Sequence, residues 1–465
     1  MICKELSYRA PQLAFALLIL VIGLEPAWAQ GRGRGGRGQA VELPENPAVA
    51  PIPAVRGVTG PGPVFEGVIM DLPADDDLDY FDYVMDEYFV SGTAQGTPYT
   101  TRILVRRPSD WDRASGIVVA EGMHPSGNSW MFHFTHTYVM SEGHVGVEIA
   151  TSGLEHLTGF NDERYESLSV QGSQANEILA QAGALLKSDS SPLTELDLRE
   201  LILMGTSASA GIVLRYLPAH EIYRLDDMGP IYDGFLPTSN ISAIPPVDVP
   251  VIQIPTMTEA ETLAAGAVRR PDGDTPGDQF RIYEFAGMSH NDSRFNATYQ
   301  PDPCMYPVSR FPLGAFMSVG LDHLVGWVDA GTLPPQGEKL RLDHDARDGS
   351  PLALDAFGNA TGGIRNTYVD FPLVRYGVRN QGADPPIPNP SRMIAARPAG
   401  TANQLCGLAG YEIPLSAEQL QGLYEDRDDY REKVEARLDE LTRAGWFLPV
   451  YRNVVLGDAA TANVP

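Results

Sequence analysis

The stretch that decides the fold is Leu201–Gly211, which reads LILMGTSASAG. A short apolar run ends at Gly205, Ser207 follows among small residues, and a helix-like run rich in isoleucine, valine and leucine comes next. A buried strand, a sharp turn and a helix in this order expose a serine at the top of an α/β sheet, where it can act as a nucleophile. The strained turn needs small residues two places before and after the serine. Gly205 and Ser209 meet this need, although glycine is usual at the second place.

The segments on both sides of this turn predict strands that alternate with helices. Tyr83–Val90 and Tyr99–Arg106 read as a β-hairpin. Further strands are predicted at Gly116–Gly122, Val145–Ala150, Ile231–Phe235, Val251–Ile254 and Phe280–Phe285, and helices at Trp130–Met140 and Gln174–Leu186. This alternation indicates an α/β fold with a mostly parallel central sheet covered by helices on both faces, and the sites of such sheets lie beyond the carboxyl ends of the strands.

A nucleophilic serine needs a histidine to accept its proton and an acid to orient that histidine, and in this architecture the acid and then the histidine follow the serine along the chain. Glu259 follows the predicted strand that ends at Ile254, and His290 follows the next one. Each residue comes after its own strand, so both are expected at the same edge of the sheet as Ser207.

Three other residues compete for these roles. Glu261 lies two residues beyond Glu259, and Asp233 follows an earlier strand; the distance from the strand end favours Glu259. Ser209 also has small residues two places away on each side, but it lies inside the predicted helix, so Ser207 is preferred.

The negative charge that develops on the attacked carbonyl oxygen needs two hydrogen-bond donors. The backbone N–H of Ala208 is the first, because it directly follows the nucleophile. The second is expected from the loop after the Gly116–Gly122 strand, at Met123 or His124.

The sequence predicts no metal site and no cofactor. His133, His136 and His144 lie close together but lack the His-Glu-x-x-His spacing and an acid at a zinc-like interval. The acidic run Asp75–Asp79 lacks the glycine and final glutamate of a calcium loop.

The composition allows one large core or two modest ones and argues against a nucleic-acid-binding protein. The 465 residues are 43% hydrophobic, enough for a sizeable core, and the formal net charge is −26. Such acidity argues against a partner held through phosphate contacts.

The amino terminus reads as an export signal. Lys4 and Arg9 precede the apolar run Leu13–Leu24, and Ala27-Trp28-Ala29 is a small-x-small cleavage site. The apolar run is shorter than the ~20 residues that span a bilayer. We expect a signal peptide over residues 1–29, no membrane span after cleavage, and a secreted or periplasmic protein.

Three further segments complete the predicted domain organisation. Residues 30–63 are rich in glycine, arginine, proline and alanine and predict a disordered linker, so a single folded domain is expected over 64–455. Within it, residues 336–455 are expected to be an extension packed on the sheet, loop-rich over 336–402 and helical over Ser416–Ala444. The mature chain keeps Cys304 and Cys406, for which a disulfide is predicted in an oxidising compartment, two unpaired buried thiols being the alternative.

With these residues in view, the chain resembles the α/β-hydrolase superfamily, and within it a bacterial group described only as α/β hydrolase domain proteins. In that group serine is usual at the second small place of the turn, while an earlier acid often stands where this chain has Met257. The similar stretches are Tyr99–Arg102, Val105–Pro108, Gly205–Ser209, Trp327–Pro335, Gly358–Arg365 and the late Cys406 with its following helix.

The resemblance implies a serine hydrolase with esterase-like chemistry over about residues 65–455, acting on a small-molecule or polymer ester. The expected roles are Ser207 as nucleophile, His290 as base, Glu259 as orienting acid, and Ala208 with His124 at the oxyanion. An amide, a lactone or a polysaccharide ester is an alternative substrate, and a catalytically silent binding protein is an alternative function. The natural substrate and the oligomeric state are left open.

Overall fold

The computed structural model describes residues 43–68, 72–265, 268–294, 296–299, 302–343, 351–384 and 401–464. The predicted signal peptide and the first part of the predicted linker lie outside the described residues. All described residues belong to one compact unit.

The strands and helices are numbered along the chain. The strands are β1 Ala48–Val49, β2 Ala54–Gly57, β3 Tyr83–Ala94, β4 Thr97–Pro108, β5 Ile117–Gly122, β6 Val145–Ile149, β7 Glu200–Thr206, β8 Tyr223–Arg224, β9 Gly234–Thr238, β10 Val251–Gln253, β11 Gly273–Thr275, β12 Asp278–Ile282, β13 Val374–Gly377 and β14 Tyr411–Pro414. The α-helices are α1 Trp130–Ser141, α2 Leu154–Phe160, α3 Asp162–Tyr165, α4 Ala175–Leu186, α5 Ala208–His220, α6 Met257–Ala260, α7 Leu313–Ala330, α8 Thr367–Asp370, α9 Thr401–Cys406, α10 Ala417–Leu423, α11 Arg427–Arg443 and α12 Arg452–Ala460. Short 3-10 helices lie at Trp111–Arg113, Gly172–Gln174, Glu261–Ala265, Ala297–Tyr299 and Pro449–Tyr451.

In the described part of the chain the main sheet has ten strands in the order β11-β12-β10-β9-β7-β5-β6-β4-β3-β2. The six strands from β12 to β6 run parallel, and the strands at both edges run antiparallel to their neighbours. The predicted mostly parallel sheet with a hairpin is therefore confirmed, and β7 lies near its centre. Carboxyl ends of parallel strands gather at one edge, which is where β7 delivers Ser207.

Alternate residues of the central strands face two separate apolar layers. On β5, Ile117 and Val119 pack with α1 and α7, whereas Val118 and Ala120 pack with α4 and α5. All of these side chains are buried, as the uninterrupted apolar run predicts for a strand covered on both faces. Helices on both faces hold the strand rigid on each side.

Two predicted strands differ from the observed ones. The strand expected at Ile231–Phe235 begins at Gly234, because Ile231 and Tyr232 pack directly over Gly183 of α4. Their apolar character therefore serves packing on a helix, not pairing in the sheet. The last parallel strand ends at Ile282, and Phe285 makes an isolated bridge to Ile364.

The folded part begins earlier than the predicted boundary near Val64. β2 pairs with β3 at the edge of the main sheet, and Arg56 lies over the ring of Phe89 at 4.8 Å. An edge strand exposes unpaired backbone groups, and the Pro/Ala-rich segment satisfies some of them for β3. At the other end, α12 continues to Ala460, beyond the predicted limit at 455.

The long helix predicted over Ser416–Ala444 is two helices, α10 and α11. Tyr424 between them has an extended backbone, and its buried hydroxyl donates to the carbonyl of Pro372 at 3.1 Å. The side chain of Asp426 then accepts the N–H of Asp429 and caps α11. The helical periodicity continues across this break, so the sequence pattern alone did not reveal it.

The C-terminal extension packs on the α1 and α7 face of the sheet, with Leu438 and Leu441 of α11 buried in the same apolar layer. The predicted disulfide is present and joins Cys304 to Cys406, with Cα atoms 5.6 Å apart. None of the helices in the described residues combines the length and the apolar character needed to cross a membrane.

Candidate active site

Ser207 lies on a strained turn between β7 and α5. Its backbone angles are φ 55° and ψ −116°, which a non-glycine residue adopts only under constraint. A Cβ atom at Gly205 would lie 2.5 Å from the carbonyl oxygen of Ser209, so this position requires glycine. The local sequence therefore builds the turn that presents Ser207.

Ser209 closes this turn from inside the protein. It is fully buried, and its hydroxyl oxygen lies 2.9 Å from both the backbone nitrogen and the carbonyl oxygen of Thr206. The hydroxyl accepts from that N–H and can donate to that carbonyl. Serine at the second small place thus has a defined structural contact, and its burial argues against Ser209 as the nucleophile.

The side chains of Ser207, His290 and Glu259 form a continuous chain of hydrogen bonds. Ser207 Oγ lies 2.9 Å from His290 Nε2, and His290 Nδ1 lies 2.6 Å from Glu259 Oε1. A carboxylate can only accept, so Nδ1 carries the proton, and Nε2 is left to accept the proton of Ser207. The three residues that the sequence singled out are brought together in the predicted order.

The carboxyl group of Glu259 is held on both of its oxygens. Oε2 accepts the backbone N–H of Thr256 at 2.9 Å and its hydroxyl at 2.6 Å, which forms a capping box at the start of α6. Burial by itself raises the pKa of Glu259, but the adjacent His290 and the hydrogen bonds from His290 and Thr256 bring the pKa below its ordinary value. The acid is therefore ionised when the imidazole needs it.

The two competing acids lie elsewhere. Glu261 forms an ion pair with Arg379 at 3.1 Å. Asp233 accepts the N–H of Leu201 at 2.7 Å and pairs with Lys187, at the amino end of β7 and away from Ser207. The structure thus brings only Glu259, among the three acids considered, into contact with His290.

The oxyanion donors agree only in part with the expectation. Ala208 is the first residue of α5, so its N–H has no partner within the helix. The N–H of Met123 donates to Ile149 at 2.8 Å and that of His124 to Asn128 at 3.0 Å. The expectation of a second backbone donor from Met123 or His124 is therefore wrong in this arrangement, because β-type pairing uses both groups.

His124 nevertheless lines the cleft beside Ser207 through its ring. Its Nδ1 accepts the backbone N–H of Ser126 at 3.0 Å. The neutral imidazole therefore carries its proton on Nε2.

The cleft at Ser207 has a volume of about 620 Å³, open mouth included, and its lining mixes aromatic and leucine side chains with serine, threonine, asparagine and histidine side chains. The rings of Trp130 and Phe134 stack at 5.5 Å along one side. Beyond Ser207 and His290, its described lining residues are His124, Ser126, Trp130, Phe134, Thr206, Asn291, Asn296, Thr298, Tyr299, Leu405 and Leu408.

The C-terminal segment in this lining escaped the sequence reasoning. Leu405 and Leu408 flank the disulfide-bonded Cys406. The hydroxyl of Tyr299 donates to the carbonyl of Leu405 at 3.0 Å, and the N–H of Asn291 donates to that of Leu408 at 3.2 Å. The predicted disulfide was the single sequence signal that could have indicated this placement.

The histidines near α1 do not converge on one point. His136 binds Asp76 at 3.0 Å, and His144 binds Ser115 at 2.7 Å, where burial lowers the pKa of His144 to about 4. Among the described residues, one trio has ligand atoms close enough for a metal: His220, Glu221 and Asp248.

Arg224 already occupies this trio. Its guanidinium binds Asp248 at 2.7 Å, and His220 binds the other carboxylate oxygen at 2.8 Å. The guanidinium cation of Arg224 is thus already paired with the carboxylate of Asp248. The hydrogen bonds from His220 and Arg224 lower the pKa of Asp248 to about 2.

The fold and the strained serine turn define the class of protein, an α/β hydrolase. The sequence profile of the family described as "Alpha/beta hydrolase domain" matches residues 49–456, and the chain belongs to this family. No curated protein shows significant sequence similarity to the chain.

Several solved esterase structures are similar to part of the chain. A cold-adapted esterase from an Arctic intertidal metagenomic library has 12% identity over 43% of this chain and 84% of its own, with a TM-score of 0.25. Esterase Est22 has 11% identity over 45% and 74%, with a TM-score of 0.29. Brefeldin A esterase, a bacterial homologue of human hormone sensitive lipase, has 16% identity over 37% and 43%, with a TM-score of 0.25. Likeness at this level carries no argument about substrate.

Proposed function

We propose that this α/β hydrolase cleaves a carboxylic ester through an acyl-enzyme formed on Ser207. The observation that carries the proposal is the hydrogen-bonded chain from Ser207 through His290 to Glu259, at 2.9 and 2.6 Å. Such a chain raises the nucleophilicity of a hydroxyl by giving its proton a place to go. A strained turn that points this hydroxyl into a cleft supports the same reaction.

In the first half of the reaction, Ser207 Oγ attacks the ester carbonyl while His290 Nε2 takes the proton. Glu259 stabilises the imidazolium that forms, and the N–H of Ala208 donates to the oxyanion. His290 then protonates the departing alcohol as the tetrahedral intermediate collapses. In the second half, water attacks the acyl-enzyme by the same route, and the acid leaves with Ser207 restored.

The cleft favours a neutral substrate. Apart from the histidines and Tyr299, its described lining residues carry no ionisable side chain, and no carboxylate, lysine or arginine is among them. An uncharged ester loses less hydration on entry than a charged one, so binding is less costly. The strongly acidic chain also repels anionic substrates.

The proposed location is the periplasm or the exterior of the cell. The support is the signal-like segment over residues 1–29 together with the disulfide between Cys304 and Cys406. Disulfides persist in oxidising compartments.

The test is hydrolysis of p-nitrophenyl esters by the purified mature protein and by Ser207→Ala. We expect measurable ester turnover, and a loss of about 10⁴-fold or more in kcat in the variant, because the attacking atom is gone. A fluorophosphonate probe should form an adduct at Ser207 in the folded wild type. Parallel anilides and lactones report the alternative substrates.

Two outcomes would contradict the proposal. Full ester turnover by Ser207→Ala would assign the reaction elsewhere. A folded wild type that neither turns over esters nor reacts with the probe would indicate a silent binding protein. Unchanged thermal unfolding of the variant serves as the control, since removing one hydroxyl from the surface of the cleft leaves the core intact.

A further inference from the structure

Glu121 is a buried acid directly beneath the serine turn, and the reaction proposed above does not use it. It lies near the carboxyl end of β5 and is 1% exposed. Its carboxyl group accepts the N–H of Met131 at 3.0 Å and that of Phe132 at 3.2 Å, at the start of α1. Oε1, which also lies 3.1 Å from the backbone nitrogen of Met131, is 3.4 Å from the hydroxyl oxygen of Ser209.

This placement joins three parts of the site. β5 leads into the loop of His124, α1 carries Trp130 into the cleft, and Ser209 closes the turn behind Ser207. Ser129 occupies the N-cap position of α1, but its side chain makes no capping hydrogen bond. Glu121 on β5 instead accepts the free N–H groups at the start of this helix.

The hydroxyl of Ser209 has one proton and two possible acceptors. It lies 2.9 Å from the carbonyl oxygen of Thr206 and 3.4 Å from Glu121 Oε1. When Glu121 is neutral, its own O–H can donate to the Ser209 hydroxyl oxygen. The Ser209 hydroxyl then keeps donating to the carbonyl oxygen of Thr206. When Glu121 is ionised, it can only accept, and it competes with Thr206 for that proton.

We infer that Glu121 is a positioning residue whose protonated form keeps Ser209 bonded to Thr206, and whose ionisation weakens this bond and loosens the turn that holds Ser207. The inference rests on the proposed function, because its consequence is read out through the reaction at Ser207. Thr206 is the residue immediately before the nucleophile, so a shift there moves the attacking oxygen directly. Misplacement of a reacting atom by a fraction of an ångström is costly in rate.

The surroundings of Glu121 favour its neutral form. Burial is the largest effect and raises the pKa of Glu121 to about 8, although the N–H groups of Met131 and Phe132 lower it. The charged groups that act on it are Glu148 on β6, which raises the pKa, and Arg106 on β4, which lowers it.

The groups on the other elements that contact Glu121 are uncharged. From α5 the facing group is the hydroxyl of Ser209, and from α1 it is backbone N–H. On β7 the residue paired with Glu121 is Met204. Because the folded-state pKa is raised, the active protonated form is present below about pH 8 and is lost as the pH rises above it.

The experiment is the pH profile of kcat and kcat/KM between pH 6 and 9.5 with a p-nitrophenyl ester, corrected for spontaneous hydrolysis. For the wild type we expect a plateau followed by a fall of about threefold or more above pH 8. In Glu121→Gln the amide donates to Ser209 and its oxygen accepts from α1, which reproduces the neutral acid. This variant should keep at least about half of the wild-type rate at pH 7 and hold its plateau to pH 9.5.

Glu200→Gln is the matched control. Glu200 lies at the opposite end of β7, and burial raises its pKa to about 7, so it is another titrating glutamate without contact to the turn. This variant should retain the alkaline fall. Ser209→Ala is a second variant that removes the proposed link directly and should lose the alkaline fall, whatever its activity at pH 7.

A wild-type profile that stays flat to pH 9.5 would overturn the inference, as would an alkaline fall that persists in Glu121→Gln or in Ser209→Ala. A purely structural role for Glu121 would change stability and leave the shape of the profile unchanged. The proposed function has its own readout: if Ser207→Ala keeps its activity, that function fails, whereas an inactive Ser207→Ala with an unchanged Glu121→Gln profile contradicts the inference alone.

Discussion

Two regions of the molecule meet at the cleft, and they are built in opposite ways. The turn at Ser207 is fixed by its own neighbours, since Gly205 permits the close approach and Ser209 bonds back to Thr206. The wall made by Leu405 and Leu408 depends on contacts across the chain, including a disulfide that spans 102 residues. The turn that presents the nucleophile is thus encoded locally, while the shape of the space for the substrate depends on the long-range fold.

After Ser207 itself, the largest effect is expected at Glu259. Glu259→Gln removes the charge that holds the His290 tautomer, and we expect kcat to fall by about 10³–10⁴-fold. The matched control is Glu261→Gln, which weakens the ion pair with Arg379 and should stay within about twofold of wild type. Steady-state kinetics on a p-nitrophenyl ester would measure both.

A large effect at Glu261 with a small one at Glu259 would reverse this assignment of the acid. It would also show that the hydrogen bond of 2.6 Å between His290 and Glu259 is not the one that the reaction uses.

Removal of the disulfide tests the contribution of the wall made by Leu405 and Leu408. Replacing both Cys304 and Cys406 by serine is expected to lower the free energy of unfolding by about 2–5 kcal/mol, because a long loop is no longer closed in the unfolded chain. Since Leu405 adjoins the bridge and Asn291 adjoins His290, KM should rise as well. Denaturant unfolding and kinetics on the same samples measure the two effects.

Unchanged unfolding in the double serine variant would mean that the other contacts of the C-terminal segment suffice. Reduction of the wild type with a thiol reductant provides a comparison without mutation, because it breaks the same bond and replaces no residue.

The wall itself is tested by Leu408→Ala. This half-buried side chain lines the cleft, so its truncation should change kcat/KM by about three- to tenfold and shift the preference among esters of different acyl length. The exposed Leu333, which is 54% accessible, supplies the control Leu333→Ala, for which no kinetic change is expected. Identical acyl preference in Leu408→Ala and wild type would exclude this wall as a determinant of specificity.

The smallest effect is expected far from the cleft, at the cap of α10. The hydroxyl of Ser416 accepts the N–H of Gln419, and the Gln419 side chain accepts the N–H of Ser416. Ser416→Ala should lower the free energy of unfolding by about 1 kcal/mol without a change in kcat/KM. A kinetic change from this substitution would show that the C-terminal helices couple to the cleft.

The sequence predicted the parts of the site that depend on chain order. Strand ends of a parallel sheet share one edge, so residues that follow three separate strands could be placed together before any distance was known. Asn291, Tyr299, Leu405 and Leu408 were not predicted to reach the cleft, because loop segments carry no periodic signal and their positions depend on tertiary contacts.

The errors in the predicted secondary structure have the same origin. Ile231 and Tyr232 look like strand residues but pack on α4, and the periodic run around Tyr424 hides a helix break that a hydrogen bond to Pro372 stabilises. Local pattern reports which side chains are buried, whereas it does not report what they are buried against.

By itself the sequence predicted the α/β fold and the order of Ser207, Glu259 and His290, and it favoured the pairing of Cys304 with Cys406 over two free thiols. These follow from periodicity, small residues at a strained turn, and an even cysteine count. Only the tertiary structure decided which acid contacts His290, and that β-type pairing occupies the expected second oxyanion donors. It also decided that Glu121 lies beneath the turn, because burial, hydrogen-bond geometry and pKa depend on groups distant in the chain.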